Sequence, residues 1–342
     1  TETILQLVAR SKRVPMVDKI IDALFQVQGA YALVILTNKK LIGVRDPHGI
    51  RPLVLGDLNG APVLASETCA LDIIGAKYVR DVENGEIVII SESGIESVKP
   101  FPVVKERPCI FERIYFSRPD SIVDGKTVYY YRKNLGEQLA IENIVNADVV
   151  IPVPDSGVPA ALGFAQKANI PFELGIIRNH YVGRTFIEPT QNIRQFGVKL
   201  KHSANKSYIE NKKVVLIDDS IVRGTTARKI VKMIYDAGAT EVHFGISCPP
   251  ITHPDFYGID TPDYDELLAS KKSVEEMRES IGATSLFFLS LNGTYKAMGH
   301  KERNATEPQF TDHCFTGDYP TQLLDNEQGT TSKQYSLLTE KN

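Results

Sequence analysis

The sequence predicts two architectures in series: an antiparallel, strand-rich α+β unit, then an α/β unit built on a parallel sheet. The first ninety residues read as one helix followed by short apolar runs, GAYALVILT, KLIGVRD, APVLAS and GEIVII, separated by Gly, Asn, Asp and Pro turn signals. From about Asp148 the rhythm changes. ADVVIPVPDS, PAALGFAQKA, PFELGIIR, KVVLIDDS, TTARKIVKMIYDAG and EVHFGISCPP alternate buried-type strands with helical segments, the pattern of a parallel sheet covered by helices. A length of 342 residues and 42% hydrophobic content suffice for about two such cores.

Composition narrows the function. The formal net charge of -3 gives no global attraction to nucleic acid or anionic membrane, so any basic site is a local cluster. No apolar run approaches the ~20 residues of a membrane helix, and the opening TETILQLVAR lacks the features of a signal peptide, which together lead us to expect a cytoplasmic protein. With no Met at position 1 and an immediate helical pattern, the chain reads as beginning inside a longer protein. Cys69, Cys109, Cys248 and Cys314 are scattered without a CxxC pair, which suits reduced, buried thiols better than disulfides or a closed zinc site.

Individual elements follow from local chemistry. The helix after Gly224 places Ile230, Met233, Ile234 and Ala237 on one stripe, with Gly238 able to turn left-handed at its end. Ser273 followed by Glu276 has capping-box spacing, and Gly282 closes a short surface helix. From about Lys301 the polar remainder reads as a loosely attached tail.

The sharpest chemistry lies in VVLIDDSIVRGTTARKI. A buried strand ends in Asp218 and Asp219 at the carboxyl edge of the sheet, where open α/β sheets bind ligands. The loop Ser220, Ile221, Val222, Arg223, Gly224, Thr225 and Thr226 then enters a helix whose free N–H groups favour an anion. Adjacent carboxylates make sense if a divalent cation or sugar hydroxyls lie between them and the ligand. The bland alternative is a pair of solvated strand-end acids beside an ordinary helix cap.

A second strand-to-helix turn, IPVPDSGVPAALGFA, carries Asp155 and Ser156 before Pro159 and could receive another phosphate group. Downstream, RNHYVGRTFIEPTQNIRQFGVKLKH gathers Arg178, Arg184, Arg194, Lys199 and Lys201 around Gly183, Pro189 and Gly197. This predicts a mobile basic lid, although a solvated charged loop would look similar.

The run from Val214 to Thr226 resembles the phosphoribosyl pyrophosphate signature of type I phosphoribosyltransferases. Together with RDPHGIRPL, ASETCALD, IYFSRPDS, NHYVGRTFI and CFTGDYP it resembles the glutamine phosphoribosylpyrophosphate amidotransferase family from about Thr1 to Pro320. The resemblance implies a type I phosphoribosyltransferase sheet with helices on both faces over residues 101–300. Later strands of an N-terminal nucleophile glutaminase domain would precede it over 1–100, and an extension would follow over 301–342. It implies purine biosynthesis: ammonia from glutamine displaces pyrophosphate at C1 of the sugar to give 5-phosphoribosylamine. Mg²⁺ would be held by Ser156, Asp218 and Asp219, the 5-phosphate by Ser220 to Thr226, and Arg178 and Asp155 would join the substrate site. Tyr181 and Arg184 fall on the catalytic lid core, His180 stands where the family often has Arg, and Tyr115 borders the internal ammonia passage. The implied partners are phosphoribosyl pyrophosphate, glutamine or ammonia, inhibitory purine nucleotides and further copies of the chain, with no nucleic acid or membrane.

Departures from the family carry expectations of their own. Thr1 stands at the start instead of the nucleophilic Cys, TETILQ resembles a later helix, and the glutamine-binding Arg, Asn-Gly and Asp motifs are missing. The chain as written is therefore expected not to hydrolyse glutamine, the alternative being Thr1 itself as nucleophile. The iron-sulphur ligand positions of one branch fall on Cys109, Asp255, Thr311 and Cys314, two of them not thiols, so no cluster is expected. Two rival readings are a nucleotide-sensing regulator on the same fold, which lacks a basic recognition helix here, and a purine salvage phosphoribosyltransferase, which leaves RDPHGIRPL and ASETCALD unexplained.

Overall fold

A computed structural model describes residues 2–179, 202–261 and 263–323. The N-terminal unit opens with two helices, α1 (Glu2–Arg10) and α2 (Met16–Leu24), where the sequence reading had one. Pro15 is the reason: with no N–H and a fixed φ it cannot continue α1, but at φ -67° it serves as the N-cap of α2. Strands β1 (Ala32–Leu36), β2 (Leu41–Arg45), β6 (Ile87–Ser91) and β7 (Gly94–Val98) form one antiparallel sheet in that order. Strands β3 (Val54–Leu58), β4 (Ala61–Ala65) and β5 (Lys77–Asp81) form a second, ordered β4-β3-β5 and backed by α3 (Thr68–Ile74). Ile20 and Leu24 of α2 bury themselves against Ile42, Val44 and Ile87. Between the sheets, Gly43 leaves the space that Leu64 fills, since a Cβ there would lie 2.7 Å from the leucine Cδ1.

A π-helical turn, Glu112–Phe116, and a small hairpin, β8 (Ile122–Val123) with β9 (Lys126–Thr127), lead into α4 (Val128–Glu142). The second unit is a parallel sheet in the order β10 (Val149–Pro152), β13 (Lys213–Asp218), β14 (Glu241–Ile246), β15 (Ser285–Phe288). The short pair β11 (Ile176–Arg178) and β12 (His202–Ala204) lies apart. Val214, Val215, Leu216 and Ile217 are all at 0% exposure, which requires cover on both faces of β13. Helix α5 (Val158–Ala168) packs on β10 and β13 and α6 (Thr225–Asp236) on β14, while the helix Val274–Ile281 packs on β15. That last helix has the expected capping box between Ser273 and Glu276 and ends at Gly282 with φ 82°.

Helices α4 and α5 approach at backbone contact. A Cβ on Gly136 would sit 1.8 Å from the Ala160 carbonyl oxygen, and one on Gly163 would sit 2.0 Å from that of Lys133. These glycines are present because the crossing leaves no room for any side chain.

The expectation of a loose tail from Lys301 is corrected. Phe310, Thr311, Asp312, His313 and Cys314 are buried, and Thr311 forms a parallel bridge with Cys109. Asp312 accepts hydrogen bonds from Tyr295 Oη (2.8 Å) and Arg303 Nε (2.6 Å). Polar residues misled the reading because their partners lie elsewhere in the chain. All four cysteines are free and buried.

Candidate functional site

Strand β13 delivers the acidic pair to the sheet edge. Asp218 ends it, its carbonyl accepting from Ser247 N–H (2.9 Å), and its side chain accepts from the N–H of Asp219 (2.9 Å). Asp218 is half-buried and Asp219 buried. Burial first, and then the neighbouring Asp219 charge, push the Asp218 carboxyl well above the usual range. Burial also raises Asp219, against the opposing pull of hydroxyls from Ser156 and Ser220 and of the Arg132 guanidinium. Ser220 Oγ donates to Asp219 Oδ1 at 2.5 Å. Two carboxyls held this close in a desolvated place are poised for a counter-cation.

The second predicted turn comes to the same place. Val153 N–H donates to the Ile217 carbonyl (2.9 Å), and a Cβ on Gly157 would lie 2.4 Å from that same oxygen. Gly157 thereby lets the Asp155–Ser156 turn lie directly against the end of β13, which brings the Ser156 hydroxyl to Asp219. Arg178, at the end of β11, pairs with Asp155, and its Nε is buried with no hydrogen-bond partner among the described residues.

The loop after Asp219 divides by role. Ile221 is buried and anchors it, and the Val222 carbonyl accepts from Leu268 N–H (2.8 Å). Arg223 turns outward to pair with Glu266. Gly224 adopts φ 71° as the N-cap of α6, without a side-chain cap, so the first N–H groups from Thr225 and Thr226 onward face the loop. The structure thus gathers Asp155, Ser156, Arg178, Asp218, Asp219 and the loop through Thr226 around one sheet edge. Tyr181, Arg184 and the other lid residues (His180, Gly183, Pro189, Arg194, Gly197, Lys199 and Lys201) lie outside the described residues.

Sequence reading missed two buried charges, Arg132 and Glu112, and the partly buried Arg51. Arg132 of α4, 4% exposed, donates from Nε to the Arg113 carbonyl (3.3 Å) and from Nη2 to the Ser117 carbonyl (2.6 Å). Glu112 accepts from Arg51 Nη1 (2.7 Å) and Ser117 Oγ (2.6 Å). Arg51 also donates to the Tyr257 carbonyl (2.8 Å), tying the N-terminal unit to the second. The available signal was position: Val128, Arg132, Leu135, Gly136 and Leu139 share one stripe of α4, so Arg132 occupies an apolar site. Glu67 adds to the seam, accepting from Arg118 N–H and Ser121 Oγ, both at 2.7 Å. A cavity of about 410 Å³ opens along this seam, lined by Glu67, Thr68, Glu112, Arg113, Asp124 and Phe310 among others, and it does not reach the acidic pair.

The positions implied for an iron-sulphur cluster hold other chemistry. Asp255 accepts from the N–H groups of Tyr257 (2.7 Å) and Ile259 (2.8 Å) and stands 2.9 Å from His313 Nε2. The Thr311 hydroxyl donates to the Arg107 carbonyl (2.5 Å). Burial pushes the Cys109 thiol up to about 11 and the Cys314 thiol well above its ordinary value, away from the thiolate form a metal ligand needs. Among the described residues, no three His, Cys, Asp or Glu side chains are grouped to hold a metal, so a cation at the acidic pair would need oxygens from a ligand, hydroxyls and water. No helix among the described residues is long and apolar enough to cross a membrane.

Comparison with known proteins finds relatives over nearly the whole chain. The phosphoribosyl transferase domain family matches residues 136–260, and the glutamine amidotransferase domain family matches residues 1–72. An amidophosphoribosyltransferase of Rhizobium etli is 60% identical over 99% of this chain and 69% of its own length. One from Bacillus subtilis is 51% identical over 94% and 68%, and the chloroplastic amidophosphoribosyltransferase 1 of Arabidopsis thaliana is 53% identical over 94% and 56%. The chain thus spans between about half and two thirds of the length of these relatives. The solved glutamine phosphoribosylpyrophosphate amidotransferase of B. subtilis, complexed with ADP and GMP, superposes with a TM-score of 0.88 at 50% identity. That match covers 95% of this chain and 71% of the other.

Proposed function

The chain belongs to the amidophosphoribosyltransferase family, and from that premise we propose that it binds phosphoribosyl pyrophosphate and transfers its sugar to ammonia, giving 5-phosphoribosylamine for purine biosynthesis. The observation that carries the reading is the junction of Asp218, Asp219 and Ser156 at one sheet edge, with the uncapped start of α6 a few residues beyond.

In this reading Asp218 and Asp219 orient the ribose hydroxyls. The N–H groups and hydroxyls from Ser220 to Thr226 hold the 5-phosphate, and the Asp155–Ser156 turn with Arg178 receives the pyrophosphate. The acidic pair, desolvated and self-repelling, fits Mg²⁺ with Ser156 beside it, and bound Mg²⁺ would neutralise charge accumulating on the departing pyrophosphate. The sugar carbon gains positive character as pyrophosphate leaves, and no protein nucleophile is required. Tyr181 and Arg184 are assigned to a lid that excludes water, which would otherwise compete with ammonia. Glutamine as the ammonia source, purine nucleotides as inhibitors, self-association and a cytoplasmic location belong to the same proposal. Identity extending through the N-terminal unit favours it over a nucleotide sensor or a salvage enzyme. The test is calorimetry with phosphoribosyl pyrophosphate and Mg²⁺, followed by pyrophosphate release on adding ammonium. Binding without release would favour a sensor, and the absence of binding would end the proposal.

A further inference from the structure

Arg132 stands out because burying an arginine is costly and nothing about α4 as a helix requires one there. Its fork reaches the carbonyls of Arg113 and Ser117, so that one planar group fixes both ends of the π-helical turn Glu112–Phe116. Such turns interrupt regular hydrogen bonding and depend on outside donors. The same residue belongs to the most tightly referenced helix in the unit. Gly136, one turn further along that face, meets the backbone of α5 at Ala160, and Gly163 of α5 meets Lys133. Helix α5 begins at the Asp155–Gly157 turn, which lies against the end of β13. A rigid chain of contacts thus runs from the acidic edge through α5 and α4 to Arg132 and ends at the turn bearing Tyr115 and Phe116. From the other side, Glu112 of that turn is held by Arg51 of the N-terminal unit. Burial lowers the Arg132 pKa, and the charges of Asp219, Glu67, Tyr115 and Glu112 act against it.

We propose that Arg132 is a positioning residue for the sugar-phosphate site, holding the Glu112–Phe116 turn in register with the Asp218–Asp219 edge. The role rests on the phosphoribosyl reading above. Arg132 acts through the backbone it holds: it fixes the Glu112–Phe116 turn relative to the α4–α5 pair, whose α5 starts at the acidic edge. Loosening that frame is expected to cost rate more than affinity, because misplacement by about 1 Å can lower turnover ~10²-fold.

The experiment compares the chain with Arg132→Met, Arg132→Lys and a control, Arg113→Lys. Arg113 is a buried residue of the turn itself, but its side chain points away from Arg132's bonds, pairing with Asp124 and packing over Phe310 and Tyr131. Calorimetry with Mg²⁺ and phosphoribosyl pyrophosphate gives affinity, ammonia-dependent pyrophosphate release gives kcat and KM, and thermal denaturation gives stability. Arg132→Met is expected to lower kcat about 10- to 100-fold while KM stays within about threefold. Arg132→Lys, keeping charge but losing the fork, should fall between. Arg113→Lys should lose Tm yet keep kcat within about twofold. If Arg132→Met does not fold, Arg132→Lys decides, with a kcat loss of at least about fivefold at unchanged KM expected. Unchanged kcat in the Arg132 variants, or a kcat loss in Arg113→Lys that follows Tm equally, overturns the positioning role. Absence of binding by the unaltered chain overturns the sugar-phosphate reading itself, and this proposal with it.

Discussion

Replacing Asp219 by Asn should move ligand affinity and ligand-free stability in opposite directions. A divalent ion about 4 Å from a carboxylate gains roughly 8 kcal/mol at an effective dielectric constant of about 20, whereas two carboxylates at a similar spacing repel by roughly 4. Removing one acid forfeits the first quantity on binding, whereas the relieved repulsion is common to the bound and free states and so appears in ligand-free stability. After cation dehydration is counted against the lost attraction, the net loss is about 3–4 kcal/mol, or a 10²- to 10³-fold weaker affinity for phosphoribosyl pyrophosphate with Mg²⁺. The ligand-free variant should melt at a higher temperature. The amide still accepts from Ser156 and Ser220, can donate to Asp218, and removes a charge from a buried place. The pH dependence has a definite sign. Asp218 holds its proton more tightly folded than unfolded, so its burial favours the folded state at low pH, and stability is shed as pH climbs from near 3.8 through the raised folded value. Asp219→Asn should flatten that decline. Calorimetry and melting curves between pH 4 and 8 measure both effects. A variant that binds as before, or that is less stable without ligand, refutes the account of the acidic pair.

Other substitutions test the frame. For buried Glu86, burial acts upward, but the Arg80 fork, Ser97 hydroxyl and Glu83 N–H override it and hold the carboxyl down at about 2. Glu86→Gln should cost about 2–4 kcal/mol in urea denaturation at neutral pH. Because the folded value lies below the unfolded 4.5, that difference should vanish as pH falls from about 4.5 to about 2. Gly136→Ala places a methyl group against the Ala160 carbonyl and should destabilise by at least about 3 kcal/mol, or abolish soluble expression; a Tm within 2 °C of the parent would contradict the crossing. Asp312→Asn weakens the pair between fully buried Asp312 and partly buried Arg303 and should cost about 3 kcal/mol by the same denaturation assay, a neutral result arguing that the C-terminal segment is not held there.

The acidic edge was legible because its determinants are local. An apolar strand, two acids, a glycine at positive φ and an amphipathic helix follow one another within twenty-odd residues, each announcing itself by residue type. Arg132 was not legible, since in YYYRKNLG it looks like any surface cation of a helix, and its acceptors lie on a turn that the pattern of apolar residues does not reveal. The break between α1 and α2 was readable at Pro15 and was passed over because the hydrophobic period continues across it. The docking of Phe310–Cys314 escaped for a different reason: composition reports solvation preference, whereas Asp312 is satisfied by Tyr295 and Arg303, and His313 stands against Asp255, groups that meet them only in the finished fold.

The bridge between Cys109 and Thr311 has a temporal consequence. The Thr311 hydroxyl reaches an acceptor 204 positions earlier in the chain, and Phe310 and Cys314 complete a core begun by Ile110 and Phe111. A ribosome emitting this polypeptide releases the whole parallel sheet before its closing piece. The nascent second unit therefore waits with an open seam beside Cys109, and its final consolidation is deferred until Phe310–Cys314 has emerged.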